Sequence, residues 1–167
     1  MLVVFGGLPG VGKTSLSRAV AQRLAATWLR IDALEAAMWR AGLPRDGTVG
    51  LAGYAVAHAA AAGQLTLGGT VVVDAVNPVE EARQGWRDLA ATHDVSLRLV
   101  EVICSDAAEH RRRIDQRPPE PDQPIVPTWD DVIGLRHDPW TGPRLTVDTV
   151  GGSDGCLARV LEFCRRA

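Results

Sequence analysis

Gly7-Leu8-Pro9-Gly10-Val11-Gly12-Lys13-Thr14 fills every fixed position of the pattern G-x-x-x-x-G-K-[ST]. Leu2-Val3-Val4-Phe5 precedes it as an apolar run that reads as a buried strand. Ser15 to Leu24 follows, with apolar residues at 16, 19, 20 and 24, a helical spacing. Strand, glycine loop and helix form the context in which this pattern acts. Glycines let the backbone curl until its N–H groups face phosphate oxygens, and the helix N-terminus adds partial positive charge. Leu8, Pro9, Gly10, Val11, Gly12, Lys13, Thr14 and Ser15 are therefore the expected nucleotide-binding residues. Lys13 is expected to reach the β and γ phosphates, and the Thr14 hydroxyl to coordinate Mg²⁺.

Lys13 is the only lysine in the chain; every other basic side chain except histidine is arginine. A compact ammonium suits a tight phosphate cradle better than a planar guanidinium fork. A guanine-recognition N-K-x-D motif needs a lysine outside the loop, so its absence argues against a Ras-like GTPase.

The chain has 167 residues, 46% of them hydrophobic, enough for one domain with a full core. A net charge of −2 gives no basic field for nucleic acid. No apolar stretch approaches the ~20 residues of a membrane span. The first strand begins at the N-terminus with no room for a signal peptide, and the cytoplasm is the expected location. Cys104, Cys156 and Cys164 lack metal-ligand or redox spacing and read as buried small hydrophobes.

Strand and helix signals alternate along the chain. Trp28 to Ile31 is a short strand ending at Asp32, followed by a helix over about 33–41 and an alanine-rich helix over 49–67. Thr70 to Val73 is a β-branched strand ending at Asp74, and Pro78 opens a helix to about Thr92. A strand over Val95–Cys104, a helix over Asp106–Arg117, a short helix near 129–136, a strand over Arg144–Asp148 and a helix over 153–166 complete the order. Pro118 to Pro127 is too rich in proline for regular structure. Such alternation predicts a parallel sheet covered on both faces, with ligands beyond the carboxyl ends of the strands.

That rule brings two carboxylates to the rim of the loop. Asp32 can accept the proton of an acceptor hydroxyl during attack on the γ-phosphate; the alternative is a helix N-cap, with Glu35 completing a capping-box-like spacing. Asp74 follows an apolar strand, where a carboxylate holds Mg²⁺ through water; the alternative is a second helix-entry cap with Asn77. No Glu follows Asp74, which argues against hydrolysis as the purpose. Arg113 and Arg117 are four apart at the root of the proline-rich stretch, placed to clamp a transferring phosphoryl group, with a solvated basic face as the alternative. Arg111 and Arg112 read as surface charge. Trp39 and Tyr54 are possible pocket walls or core residues, and His58 reads as a satisfied, partly buried histidine.

These segments together resemble the small P-loop kinases, which include shikimate, gluconate and adenylylsulfate kinases. They also resemble the chloramphenicol phosphotransferase-like and polynucleotide-kinase-like proteins, often labelled AAA family ATP-binding proteins. Gly6 to Ser15 resembles their phosphate loop, Asp32 their substrate-activating aspartate, Val71 to Asn77 their third strand end, and Arg113-x-x-x-Arg117 their lid-base arginines. The resemblance implies one α/β domain over 1–167: a P-loop NTPase fold with a five-stranded parallel sheet of order 2-3-1-4-5 and a lid over about 111–130. It implies ATP with Mg²⁺ and a small-molecule hydroxyl acceptor, whose identity does not carry over; Asp32, Glu35, Trp39, Tyr54 and Asn77 are the expected substrate residues. A nucleotide-binding regulatory module and a polynucleotide 5′-hydroxyl kinase are the alternatives. Monomer and homodimer both fit. No glycine triplet like that of shikimate kinase stands at strand three; Gly68-Gly69 precedes that strand.

Overall fold

Five strands form one parallel sheet of order β2-β3-β1-β4-β5. The computed structural model describes residues 1–45, 47–119, 126–152 and 154–166. In chain order the elements are β1 (Leu2–Gly6), α1 (Lys13–Leu24), β2 (Thr27–Arg30), α2 (Ile31–Arg40), α3 (Gly47–Thr66) and β3 (Val71–Asp74). They continue with α4 (Glu80–Thr92), β4 (Leu97–Ile103), α5 (Ala107–Asp115), α6 (Trp129–Gly134), β5 (Leu145–Asp148) and α7 (Asp154–Arg165). Among the described residues no helix is long and apolar enough to cross a membrane.

The period of two along β1 divides the core. Leu2 and Val4 join one apolar cluster with Val71, Val73, Ala57, Ala61 and Trp86, on the side of α3 and α4. Val3 and Phe5 join the other with Val72, Val100, Leu16 and Val160, on the side of α1 and α7. Successive strand residues point to opposite faces, so an unbroken apolar strand must be covered twice. β1 pairs in parallel with β3 on one side and β4 on the other. The strand order reverses beside it, and this switch point is where an open α/β sheet leaves a crevice. The glycine loop leaves β1 there.

The boundaries differ from the sequence reading in informative places. β2 ends at Arg30 and α2 starts at Ile31, so Asp32 lies in the helix's first turn rather than at a strand end. α2 has no side-chain cap, so the cap role weighed for Asp32 and Glu35 is absent. α4 starts at Glu80 rather than at Pro78, because Arg83 takes the carbonyls of Asn77 and Pro78. α5 ends at Asp115, and Arg117 lies beyond it, its N–H donating to Ile114 O. Arg113 and Arg117 therefore do not share a helical stripe. Asp106 caps α5 by accepting from the N–H groups of Ala108 and Glu109. Thr128 and Asp131 form a reciprocal capping box on α6. Of the lid expected over about 111–130, residues 120–125 lie outside the described residues.

Candidate active site

The loop from Gly7 to Gly12 turns at Gly7, Gly10 and Gly12, whose left-handed backbone only glycine adopts freely. Gly7 has φ +138° and its N–H donates to Val76 O, while a Cβ there would run into the Val102 carbonyl. Gly10 has φ +82°, and a Cβ would stand 2.5 Å from Ile114 Cδ1. Both positions combine a left-handed backbone with a close neighbour, so the loop's shape is written into its glycines. Leu8 and Val11 turn their side chains into the apolar core and offer only backbone to a ligand.

Pro9, Gly10, Gly12, Lys13, Thr14 and Ser15 line one wall of a cavity of about 390 Å³. Asp32, Arg30, Asp74 and Trp28 line the wall beyond β2 and β3, and Arg18, Arg113 and Arg117 complete the rim. Lys13 Nζ donates to Leu8 O at 2.8 Å, curled over its own loop. Burial lowers the Lys13 pKa, opposed by the charges of Asp74 and Asp32. Asp74 is 3% exposed, and desolvation raises its pKa against the pull of Lys13 and a hydrogen bond from the Thr14 hydroxyl. Asp32 keeps about a third of its side chain in solvent, with Oδ2 3.8 Å from Arg30 Nη2.

Residues at this site fit a divalent cation held largely by a nucleotide. Asp74 Oδ2 is buried and makes no hydrogen bond, and the Thr14 hydroxyl adjoins the same carboxylate. No group of three or more His, Cys, Asp or Glu side chains among the described residues makes a self-contained metal site. Mg²⁺ keeps several waters and takes one or two protein ligands with phosphate oxygens, which suits this donor set.

Several expected substrate residues sit elsewhere. Asn77 is fully buried: its Nδ2 donates to Phe5 O at 2.8 Å and its Oδ1 accepts from Trp86 Nε1 at 2.9 Å. Both polar ends of that side chain are committed to the protein, so the expectation of a substrate contact is corrected to a brace between β1 and α4. The Tyr54 hydroxyl accepts from Asn77 N at 3.1 Å, and burial pushes its pKa up to about 12. Glu35 stands one turn after Asp32, half-buried against Gly53 of α3, and desolvation with the Asp32 charge pushes its pKa up to about 7. The Arg45 guanidinium lies 5.5 Å from the Trp39 ring. Glu35, Trp39 and Tyr54 are not among the side chains lining the cavity. His58 stacks on Trp86 at 3.8 Å, as a packed histidine does.

Contacts that sequence reading missed hold the loop from behind. His110 Nε2 lies 2.6 Å from Pro9 O, and Trp129 meets the His110 ring edge-on. Thr149, 3% exposed, donates its hydroxyl to Val11 O at 2.8 Å and accepts from Arg113 Nη1 at 2.8 Å. Arg113 also donates to Glu109 and to Thr149 O, so each of its nitrogens has a protein partner. Arg117 lines the same cavity and its charge bears on Lys13. Arg111 and Arg112 pair with Asp115 and Glu109 on the surface.

Sheet order, glycine loop, lysine, threonine and strand-end carboxylate define a P-loop nucleoside triphosphate-binding domain. A family model described as an AAA domain matches residues 2–130, and the chain belongs to that family. No curated protein matches it. A candidate kinase from Chloroflexus aurantiacus is similar in structure at 22% identity and TM-score 0.80, over 98% of this chain and 96% of that one. A sugar kinase from Janibacter sp. HTCC2649 is similar at 15% identity and TM-score 0.71, over 98% and 93%. APS kinase CysC of Mycobacterium tuberculosis, in complex with AMPPNP and APS, is similar at 19% identity and TM-score 0.70, over 99% and 97%.

Proposed function

We propose that the protein is an ATP-dependent phosphotransferase that moves the γ-phosphoryl group to a hydroxyl of a small molecule. One observation carries the reading: a partly solvated carboxylate, Asp32, shares a single cavity with the phosphate loop and its lysine. A device that only gripped nucleotide would not need a base on the far wall. The sugar kinase and APS kinase similar in fold add support.

In this mechanism the loop amides and Lys13 hold the β and γ phosphates, with Lys13 released from Leu8 O. Thr14 and Asp74 would hold Mg²⁺, which when bound neutralises phosphate charge. Asp32 orients the acceptor hydroxyl and takes its proton as the oxygen attacks phosphorus. Arg117, with Arg113 behind it, offsets the charge on the transferring group. His110 and Thr149 keep the loop carbonyls fixed, so positioning is supplied before substrates arrive.

The test is Asp32→Asn, assayed with a panel of sugars, polyols and hydroxylated antibiotics. ATP affinity by calorimetry should stay nearly unchanged, because the nucleotide contacts come from the loop. Single-turnover transfer should fall by roughly 10²- to 10⁴-fold, the contribution of a positioned general base. Normal transfer by this variant would sink Asp32 as the base. Failure of the wild type to phosphorylate any compound would favour a nucleotide-binding module.

A further inference from the structure

Arg30 closes β2 and pairs with Asp74 across the parallel ladder, Cα partner to Cα partner. Paired residues on adjacent strands point to the same face, so this register sends the guanidinium and the carboxylate to the same side of the sheet. Arg30 is 4% exposed, and it lines the cavity with Asp74, Asp32 and Lys13. Its Nε lies 4.0 Å from Asp74 Oδ2, and its Nη2 lies 3.8 Å from Asp32 Oδ2. One rigid, planar cation thus spans the two carboxylates on which the proposed reaction depends. Arginine is suited to that task because its fork fixes two directions at once, which an ammonium does not.

We propose that Arg30 is a positioning residue for phosphoryl transfer: it braces Asp32 and Asp74 in one arrangement, so that the acceptor oxygen and the metal-side carboxylate are held in register. With Oδ2 of Asp32 turned to Arg30, Oδ1 is left to receive the acceptor proton. With Arg30 as the standing counter-charge of both carboxylates, Lys13 is available to the phosphates. Arg30 touches neither substrate and acts through its partners.

This proposal rests on the phosphotransferase reading, and two measurements separate their failures. ADP titrations by calorimetry over a series of Mg²⁺ concentrations give the Mg²⁺ level that half-enhances ADP binding. Arg30→Met should raise that level about 10-fold, as loss of a residue that orients a metal-binding carboxylate does for other metal sites, while metal-free ADP affinity holds. Arg30→Lys should fall between the two, and it serves as the folded variant if Arg30→Met proves unstable by thermal melting. An unchanged or lowered Mg²⁺ requirement would overturn the brace, since a cation that merely competes with the metal would release affinity when removed.

The second measurement is single-turnover transfer to the acceptor found for the wild type. Arg30→Met should slow transfer about 10²-fold, the scale of a small misplacement of reacting groups. At saturating Mg²⁺ the double variant Arg30→Met with Asp32→Asn should lose clearly less than the product of the two single losses, because the part of the Arg30 effect that runs through Asp32 is already gone. Fully additive losses would overturn the proposal. Should the wild type transfer to no hydroxyl compound, the phosphotransferase reading fails and the Mg²⁺ titration alone decides the role of Arg30.

Discussion

Arg83 and Arg30 are both almost wholly buried, at 0% and 4% exposure, yet their surroundings differ in kind. Arg83 donates to the backbone carbonyls of Asn77, Pro78, Asp138 and Pro139 at 2.5 to 3.0 Å, lies 4.6 Å over the Trp140 ring, and meets one carboxylate, the half-exposed Glu80 outside the cavity, at 3.3 Å. Arg30 faces two carboxylates at 3.8 and 4.0 Å across the floor of a cavity. A guanidinium saturated by carbonyls has one geometry and no spare chemistry. One that meets the carboxylates of a cavity at ion-pair range orients groups that a ligand can use. The first ties a loop to the fold, and the second serves the site.

The contrast breaks most visibly at Arg83. Arg83→Met should lower stability by at least about 3 kcal/mol, because each buried acceptor left unsatisfied costs about 1–3 kcal/mol. Urea unfolding measures this, and ADP affinity of the folded fraction should match the wild type. A loss below about 1 kcal/mol would mean that the carbonyls find water and that the loop through Asp138 and Pro139 is not held by Arg83.

The sequence made one side of this contrast legible and hid the other. Glycine spacing exposed the phosphate loop, alternation of strand and helix exposed a parallel sheet and the carboxylates at its rim, and the strand order came from the resemblance to small P-loop kinases. Asp74 was readable because a strand end needs only local pattern. Arg30 was not, because its meaning comes from a ladder register that pairs it with a residue on another strand. His110 and Thr149 were hidden for the same reason: their contacts with Pro9 and Val11 span 101 and 138 residues. Asn77 was misread because its φ of +49° turns a strand-end residue inward, to Phe5 O and Trp86. An asparagine adopts this left-handed backbone more readily than most residues, and nothing in linear spacing reports which way its amide points.

The two lid-base arginines sharpen the contrast at smaller scale. Arg113 is tied to Glu109 and Thr149, like a reduced Arg83, whereas Arg117 lies past the helix end on the cavity rim. Arg117→Ala should lower transfer about 10²-fold with little change in stability, as loss of a transition-state charge partner does. Arg113→Ala should lower stability by about 1 kcal/mol through its neutral partner Thr149 and its charged partner Glu109. Its transfer loss should be smaller than that of Arg117→Ala and should come through the Thr149 grip on Val11 O. Equal transfer losses without any stability loss would place both guanidiniums on the phosphoryl group and erase the distinction.

Glu35 gives the smallest effect and extends the contrast to a carboxylate. Its pKa stands near 7 against an ordinary 4.5, first because α2 and α3 half-bury it and second because Asp32 repels its charge. In the unfolded chain the same group ionises near 4.5, so between about pH 4.5 and 7 the folded state binds more proton than the unfolded one. Stability from this group is therefore complete below pH 4.5 and is lost as pH rises through 7. The full shift would correspond to about 3 kcal/mol, but solvent reaches part of the side chain, and screening reduces the expected loss to about 1 kcal/mol. Glu35→Gln removes the titration. The variant should match the wild type in urea unfolding near pH 4.5 and exceed it by about 1 kcal/mol at pH 8. Asp32→Asn should narrow that gap from the wild-type side by removing the repelling charge. A gap that stays constant across this range would show that Glu35 faces solvent, and one that Asp32→Asn leaves untouched would show that burial alone, without the Asp32 charge, holds its proton.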